Sequence, residues 1–473
     1  MKLLLVLIEG QLYLAGILAI FVAELALLFW GLWSRRPIVG LVAVFVAVPL
    51  MRSTLNALRA CFVRIDPPEG LSLARSDAGA LYGLIEDIGR TIGAPPVESI
   101  AITGDFNASA VTHRPPWRLR RSRTLVLGLP VLTTLSMAEL RAVIAHELAH
   151  FSSAHDPYAA WVYRTRSSWF ALRAALDRRL ATPVYVYWLI GWYVPRLNMA
   201  SAEVARRHEL AADRVAAEVA GARAAADALI VFESGERFAD ETHWPKIQIS
   251  HETAPEPPRP YAQMLRWGAR TALTDILEDL FAGDTDVGDT HPSLRERFAC
   301  LEQEARLPPP IGRSAGEELF GAGLEALAAT LDEGWLTRNG ESWHERRAQY
   351  LDQRTALDRL SAIASPTPDE LFNRATLIEI LDGADQALPI YRSAAEQEHA
   401  AASLAAGRLL LDRMDATGIT LLEAAMDRDD SLVPDACRIL AEYYRQTNQE
   451  LAARKCEWRA TRQTTQARLA QRA

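Results

Sequence analysis

The stretch that most constrains this chain is Ile144-Ala-His-Glu-Leu-Ala-His150. On an α-helix, residues four apart share a face, so His146 and His150 can offer imidazole nitrogens to one ion. Glu147 projects beside them, free of the metal, where it can take a proton from water. The flanks predict a helix. Ser136-Met-Ala-Glu139 reads as an N-cap with a capping-box glutamate, and Leu140, Val143, Ile144 and Leu148 recur at helical intervals. H-E-x-x-H on a helix is a zinc hydrolase pattern, with an accidental match on an amphipathic helix as its competitor.

Catalytic zinc takes three protein ligands plus water, so a third donor is required. The best candidate is Glu209, in the Ala-rich, strongly helical segment Arg206-Arg-His-Glu-Leu-Ala-Ala-Asp213. Glu209 and Asp213 share a face at i, i+4, and Asp213 can accept a hydrogen bond from a ligand histidine and fix its tautomer. Alone, the segment reads as a solvated charged face. His208 is the rival ligand, but it points about 100° away from Glu209 on the same helix.

Together, His146-Glu-Leu-Ala-His150 and Glu209-Leu-Ala-Ala-Asp213 resemble the HtpX and CAAX-prenyl-protease family of membrane zinc metallopeptidases, which are gluzincins with E-x-x-x-D as their second motif. Gly128-Leu-Pro-Val-Leu132 precedes the metal helix as in that family. Asn107-Ala108 is similar to its substrate-strand N-A motif, and Thr290-His-Pro-Ser293 with Arg297 is similar to its late H-P…R motif. The resemblance covers roughly residues 65–305 and implies one zinc per chain, protein or peptide substrates, and His291 and Arg297 near the metal. His291, held extended before Pro292, would stabilise an oxyanion or plug the open zinc position; Arg297 is the other oxyanion candidate.

The N-terminal end reads as a membrane anchor. Residues 12–33 are apolar apart from Glu24, long enough to cross a bilayer, and a second run follows from 38 to about 58. The apolar heart of that second run, 38–51, is short for a full span, so two crossings are expected with an interfacial or tilted segment as the alternative. The first run is too long and too acidic for a cleavable signal peptide. With two crossings, Lys2 shares a side with Arg52, Arg59 and Arg64, against Arg35 and Arg36 in the turn. The positive-inside rule then places the catalytic domain in the cytoplasm, at the inner membrane. The net charge of −8 gives no support to nucleic-acid binding. Cys61, Cys300, Cys437 and Cys456 are scattered and read as free thiols of a reducing compartment.

In chain order, residues 76–90 read as an amphipathic helix ended by Gly93-Ala-Pro-Pro96, and 97–103, 108–112 and 124–127 read as short strands. A small sheet beside the metal helix offers an edge to which an extended peptide can add. Asn107 would sit near that edge, or be a turn residue. Residues 113–123 form a basic, proline-rich loop. The tyrosine- and tryptophan-rich run 183–195 is too short to span, and suits an interfacial belt or a hydrophobic wall over the active site, with a merely buried helix as the competing reading. Residues 249–260 read as a mobile loop near the cleft rim.

The fold expected is mainly α with a small β-sheet: a zincin-like metallopeptidase core behind N-terminal transmembrane helices, followed by an α-helical repeat-like domain. The boundaries read as an anchor over 1–64, the metallopeptidase domain over 65–306, a helical linker region over 307–365 and a tetratricopeptide-like domain over 366–473. In the last, 382–395 realigns with 412–425, a shift of thirty, and a further pair of helices follows. The tryptophan–glycine signature of such repeats is absent, so a plain bundle is the alternative. Partners implied are protein or peptide substrates, membrane lipid and a protein ligand of the helical repeats. The rival functions are a catalytically silent anchored scaffold or chaperone and a small-molecule metallohydrolase. The presence of ligands, base and second carboxylate disfavours the scaffold.

Overall fold

The computed structural model describes residues 2–34, 36–61, 70–113, 122–151, 161–162, 165–166, 168–170, 172–173, 184–266, 273–283 and 291–470. The chain divides into two compact units, residues 1–248 with 258–337, and 249–257 with 338–473.

The first unit opens with two helices, α1 (Lys2–Trp33) and α2 (Pro37–Cys61). Leu3–Trp33 is long and apolar enough to cross a membrane, whereas the apolar part of α2, Pro37–Arg52, is shorter. The expectation of two crossing helices is therefore met by one on length and hydropathy. The polar Glu24 is buried in the hairpin, where it accepts a 2.8 Å hydrogen bond from Thr54 Oγ1.

A four-stranded sheet follows, in the order β1-β2-β4-β3. Its strands are β1 (Leu71–Leu73), β2 (Ser99–Thr103), β3 (Ala108–His113) and β4 (Ser122–Gly128). β4 runs parallel to β2 and antiparallel to β3. Its alternate side chains go to both buried faces, which is why Thr124-Leu-Val-Leu127 reads as an unbroken apolar run. β3 lies at one edge of the sheet. β1, only three residues long, had no sequence pattern to reveal it.

Between β1 and β2 lies α3 (Gly79–Ile92), which starts three residues later than expected because 74–77 form a turn, and which ends at Gly93 in the left-handed region with φ 66°. α4 (Leu129–Thr134) and α5 (Met137–Ala149) follow β4, and then come α6 (Val184–Ala220) and α7 (Ala222–Phe238). Leu81, Ile85 and Ile88 of α3, Ile100 and Ile102 of β2, Leu125 and Leu127 of β4, and Leu140, Ile144 and Leu148 of α5 form one buried cluster. Each such side chain contributes about 1.5–3 kcal/mol.

α6 is a continuous 37-residue helix that absorbs the aromatic run read at 183–195, with Pro195 inside it. One face of that run is buried, through Ile190, Tyr193, Val194 and Leu197 packed with Leu3, Leu7 and Ile17 of α1. The other is open, with Trp188 76 % exposed. Most of the basic loop after His113 lies outside the described residues.

The unit is completed by α8 (Pro260–Met264), α9 (Leu294–Cys300) and the first part of α10 (Gly323–Ser361). Asp332 of α10, fully buried, accepts backbone N–H bonds from Tyr261 and Ala262 at 2.9 and 3.1 Å and so caps α8. The β2–β3 turn is held by three close approaches. A Cβ on Gly104 would stand 2.0 Å from the Tyr261 ring, one on Gly235 2.2 Å from the Phe106 ring, and one on Gly128 1.9 Å from the Asp105 carbonyl oxygen.

The second unit is helical. The division falls inside α10, where no loop interrupts the helix. The expected rim loop 249–260 is instead partly helical, and its start packs on α10: Trp343 Nε1 donates to Ser250 Oγ at 2.9 Å, and Arg347 Nη1 donates to the His251 and Glu252 carbonyls. Then come α11 (Pro368–Leu381), α12 (Ala384–Glu396), α13 (Ala400–Leu411), α14 (Thr417–Arg428), α15 (Val433–Gln446) and α16 (Glu450–Ala470), packed as successive pairs. Asp382 and Asp412, equivalent in the thirty-residue shift, are the C-caps of α11 and α13. Cys300, Cys437 and Cys456 are free thiols.

Gly128 has backbone against it, so Gly128→Ala cannot be relieved by a rotamer change. It should destabilise the first unit by about 1–3 kcal/mol, read as a lower midpoint of thermal or denaturant unfolding. An unchanged midpoint would mean the turn does not pack as described.

Candidate functional site

α5 begins on the expected capping box, in which Ser136 Oγ accepts from Glu139 N while the Glu139 carboxylate accepts from Ser136 N at 2.7 Å. Burying Leu140, Ile144 and Leu148 in the core turns His146 and His150 toward α6 and Glu147 toward β3. α6 can approach closely because its facing residues include Ala205, Ala212 and Ala216, all buried. Two i, i+4 pairs from two helices therefore meet.

His146 Nε2 and His150 Nε2 stand 3.3 Å apart. Glu209 Oε2 lies 3.5 Å from His146 Nε2, and Glu209 Oε1 lies 3.6 Å from His150 Nε2. Donors held at zinc distances by a tetrahedral ion are separated by roughly 3.3–3.6 Å. Each spacing matches that edge length, with a different Glu209 oxygen facing each imidazole, and imidazole and carboxylate suit zinc, so the residues fit the metal. The donor atoms of His146, Glu147 and His150 also lie within 4.8 Å of one another. Glu147, however, is tied elsewhere: its Oε2 accepts the Ala110 backbone N–H of edge strand β3 at 3.2 Å.

Burial raises the Glu147 carboxyl to about 7, with His146 pulling it back and Glu209 adding to the rise. The adjacent imidazoles differ. Burial disfavours charge on His146, but hydrogen bonds to Asp213 and Glu209 prevail and hold it at about 9. Burial and the neighbouring His146 push His150 down to about 3. Burial opposes charge on Glu209 as well, yet its bonds to His146 and His291 hold it far below the carboxylate range.

Asp213 Oδ1 lies 3.0 Å from His146 Nδ1. Arg297, on α9, forks onto the same carboxylate, Nε to Oδ2 at 2.8 Å and Nη2 to Oδ1 at 2.6 Å. His208 does not face the donor triangle. Its Nδ1 lies 3.1 Å from Nδ1 of His150, with the two rings stacked at 5.0 Å. His291 places Nδ1 3.2 Å from Glu209 Oε2, and its side chain is 74 % exposed. Pro292 and Ser293 follow, and Ser293 caps α9 with Glu296. The loop 284–290 before His291 lies outside the described residues.

A cleft of about 470 Å³ is lined by His146, Glu147, Glu209, Asp213, His291 and Arg297. Asn107 and Ala108 line it at the start of β3. Asn107 is exposed, and its carbonyl accepts from Gly128 N at 2.7 Å. Phe106, Phe232, Glu233 and Glu236 line the cleft as well, and the sequence had not marked them. Phe232, Glu233 and Glu236 sit on α7, where apolar and acidic residues at helical spacing read as an ordinary half-buried helix. The His208 contact had no sequence signal either.

Asp213 orients His146, so Asp213→Ala should weaken zinc binding by about 10–100-fold, measured by competition with a chelator. Unchanged affinity would mean that His146 needs no such support.

Residues 118–305 match the family model described as Peptidase family M48, a family of HtpX-type zinc metallopeptidases. No curated protein and no solved structure matches the chain. The matched segment holds both ends of the donor triangle, the H-E-x-x-H helix and Glu209. Residues 118–305 are thus similar to peptidases of family M48, and together with the His146-Glu147-His150 group that similarity implies a zinc metalloendopeptidase.

Proposed function

We propose that the chain is a membrane-anchored endopeptidase that cuts extended segments of membrane or misfolded proteins, with one zinc per chain held by His146, His150 and Glu209. The donor spacings of 3.3, 3.5 and 3.6 Å carry this reading. Zinc bound there supplies a Lewis acid that polarises the scissile carbonyl and lowers the pKa of a water. Glu147, raised to about 7 by burial, takes the proton of the attacking water and passes it to the leaving amine. The Ala110 N–H holds its carboxylate toward the cleft.

Asp213 accepts from His146 Nδ1 and so directs Nε2 at the metal position. Arg297 was an oxyanion candidate, but its Nε and Nη2 are engaged by Asp213, which favours a positioning role. His291 stands at the cleft mouth with Nδ1 on Glu209. This contact supports an oxyanion donor over a plug of the metal, because a plug would have to leave Glu209.

Substrate adds along the free side of β3. The Ala110 N–H points to Glu147 and away from β4, so residues 108, 110 and 112 present their backbone outward, with Asn107 and Ala108 at the start of the slot. α1 is the anchor. With α2 as a second, shorter crossing, the chain returns to the Lys2 side, where α6 packs, and that side is cytoplasmic by the positive-inside rule. The helix pairs from 368 onward present a tetratricopeptide-like surface for a protein ligand.

The test pairs metal content with cleavage of casein. Glu147→Gln should keep zinc and lose about 10²–10⁴-fold in rate, while Glu209→Gln should lose zinc itself. Full activity of zinc-loaded Glu147→Gln would remove Glu147 as the base.

A further inference from the structure

Four contacts fix how the helix carrying Glu209 stands on α1. Tyr193 Oη donates to the Val6 carbonyl at 3.0 Å, and its ring covers Gly10. Trp192 meets the Tyr13 ring edge-on at 6.1 Å, and Arg196 pairs with Glu9 at 3.4 Å. Moving up α6 from 192 to 196 moves down α1 from 13 to 9, so the helices are antiparallel here. α6 therefore leads away from the apolar run 12–33 and carries Glu209 and Asp213 in that direction.

The Glu9–Arg196 pair marks a boundary. Both side chains are partly open, 26 % and 49 % exposed, and a charged pair facing hydrocarbon is costly. The hydrocarbon thus begins on the far side of this pair. Residues 12–33, twenty-two in number, extend about 33 Å as a helix, close to the roughly 30 Å of a bilayer core. At the boundary Trp192 is exposed, and Tyr187 and Trp188 are exposed beyond it. Arg196 lies 4.3 Å over the Trp192 ring, a cationic partner suited to headgroups, and Arg173 lies 5.0 Å over the Tyr187 ring, nine residues or about 14 Å further toward the apolar run. Pro195, the proline within α6, precedes the stretch 196–209. Over those thirteen steps (209 − 196) the helix rises about 20 Å.

We infer that α6 is a spacer that holds the cleft up to about 20 Å clear of the hydrocarbon, so that the enzyme spares bonds at the membrane surface. A substrate anchored in the same bilayer must offer up to about six extended residues, at roughly 3.3 Å each, before its scissile bond. The substrate class is therefore anchored chains with long unfolded juxtamembrane segments, together with unanchored unfolded chains. This inference rests on the anchored-endopeptidase reading.

The experiment uses the full-length protein in proteoliposomes. One casein-derived cassette is supplied free, and also fused to a single-span anchor through Gly/Ser spacers of about 2, 4, 8 and 16 residues. The free cassette and the two longer fusions should be cut at similar rates, and the two shorter ones at least about tenfold more slowly. Equal rates at every spacer length overturn the stand-off while leaving the protease reading intact. An uncut free cassette counts against the protease reading instead, and the stand-off is then decided by depth. Spin labels are placed at Trp188→Cys and Glu218→Cys in a chain whose native cysteines are changed to alanine. The first should be relaxed by lipid-soluble oxygen and the second by a water-soluble nickel chelate. A label at 218 in lipid, or at 188 in bulk water, overturns the proposal.

Discussion

One carboxylate ties together the helices on which the site stands. Asp213 of α6 is 2 % exposed and accepts from His146 of α5 and from both arms of the Arg297 fork of α9. A buried carboxylate without partners is strongly unfavourable, and removing one member of such a network typically costs about 3–5 kcal/mol. The three helices are therefore not free to slide independently. Glu209 lies one turn before Asp213 on the same helix, so whatever fixes Asp213 against His146 also sets the distance between Glu209 and both imidazoles. The donor triangle results from this helix crossing, and among the described residues the loop residue His291 joins it at its mouth. Sites built on packed helices hold their geometry better than sites on loops.

The parts of this arrangement legible in the sequence are the ones with short-range causes. The i, i+4 pairs His146/His150 and Glu209/Asp213 and the Ser136–Glu139 box follow from helix geometry within one turn. Contacts between distant segments were not legible. Arg297 could be placed near the metal by resemblance, but its fork onto Asp213, 84 positions earlier, had no local signature. Neither did the approach of His208 to His150 or the wall that α7 gives the cleft.

The helical extents went astray for a different reason. The aromatic run at 183–195 and the acidic segment at 206–213 differ so sharply in composition that they read as separate elements, yet α6 carries both. Proline at 195 did not end it. Its neighbours Tyr193, Val194 and Leu197 are buried against α1, and that packing offsets the lost backbone bond. Composition follows the surroundings of a helix, and α6 passes between two of them. α2 is the converse case, one helix whose apolar character stops at Arg52.

The position of β3 at the rim of the sheet has a consequence for what such an enzyme measures. A strand slot makes its bonds to main chain, which every protein has, so side-chain identity discriminates weakly between targets. To enter, a target must release several consecutive residues from its own hydrogen bonds, and the fraction of time it does so falls tenfold for each 1.4 kcal/mol of local stability. Turnover among competing chains is then ordered by how readily each opens. Were substrates to add along β3 as proposed, the slot would act as a thermometer of local unfolding, selecting chains by their free energy of opening and passing over intact ones of the same sequence.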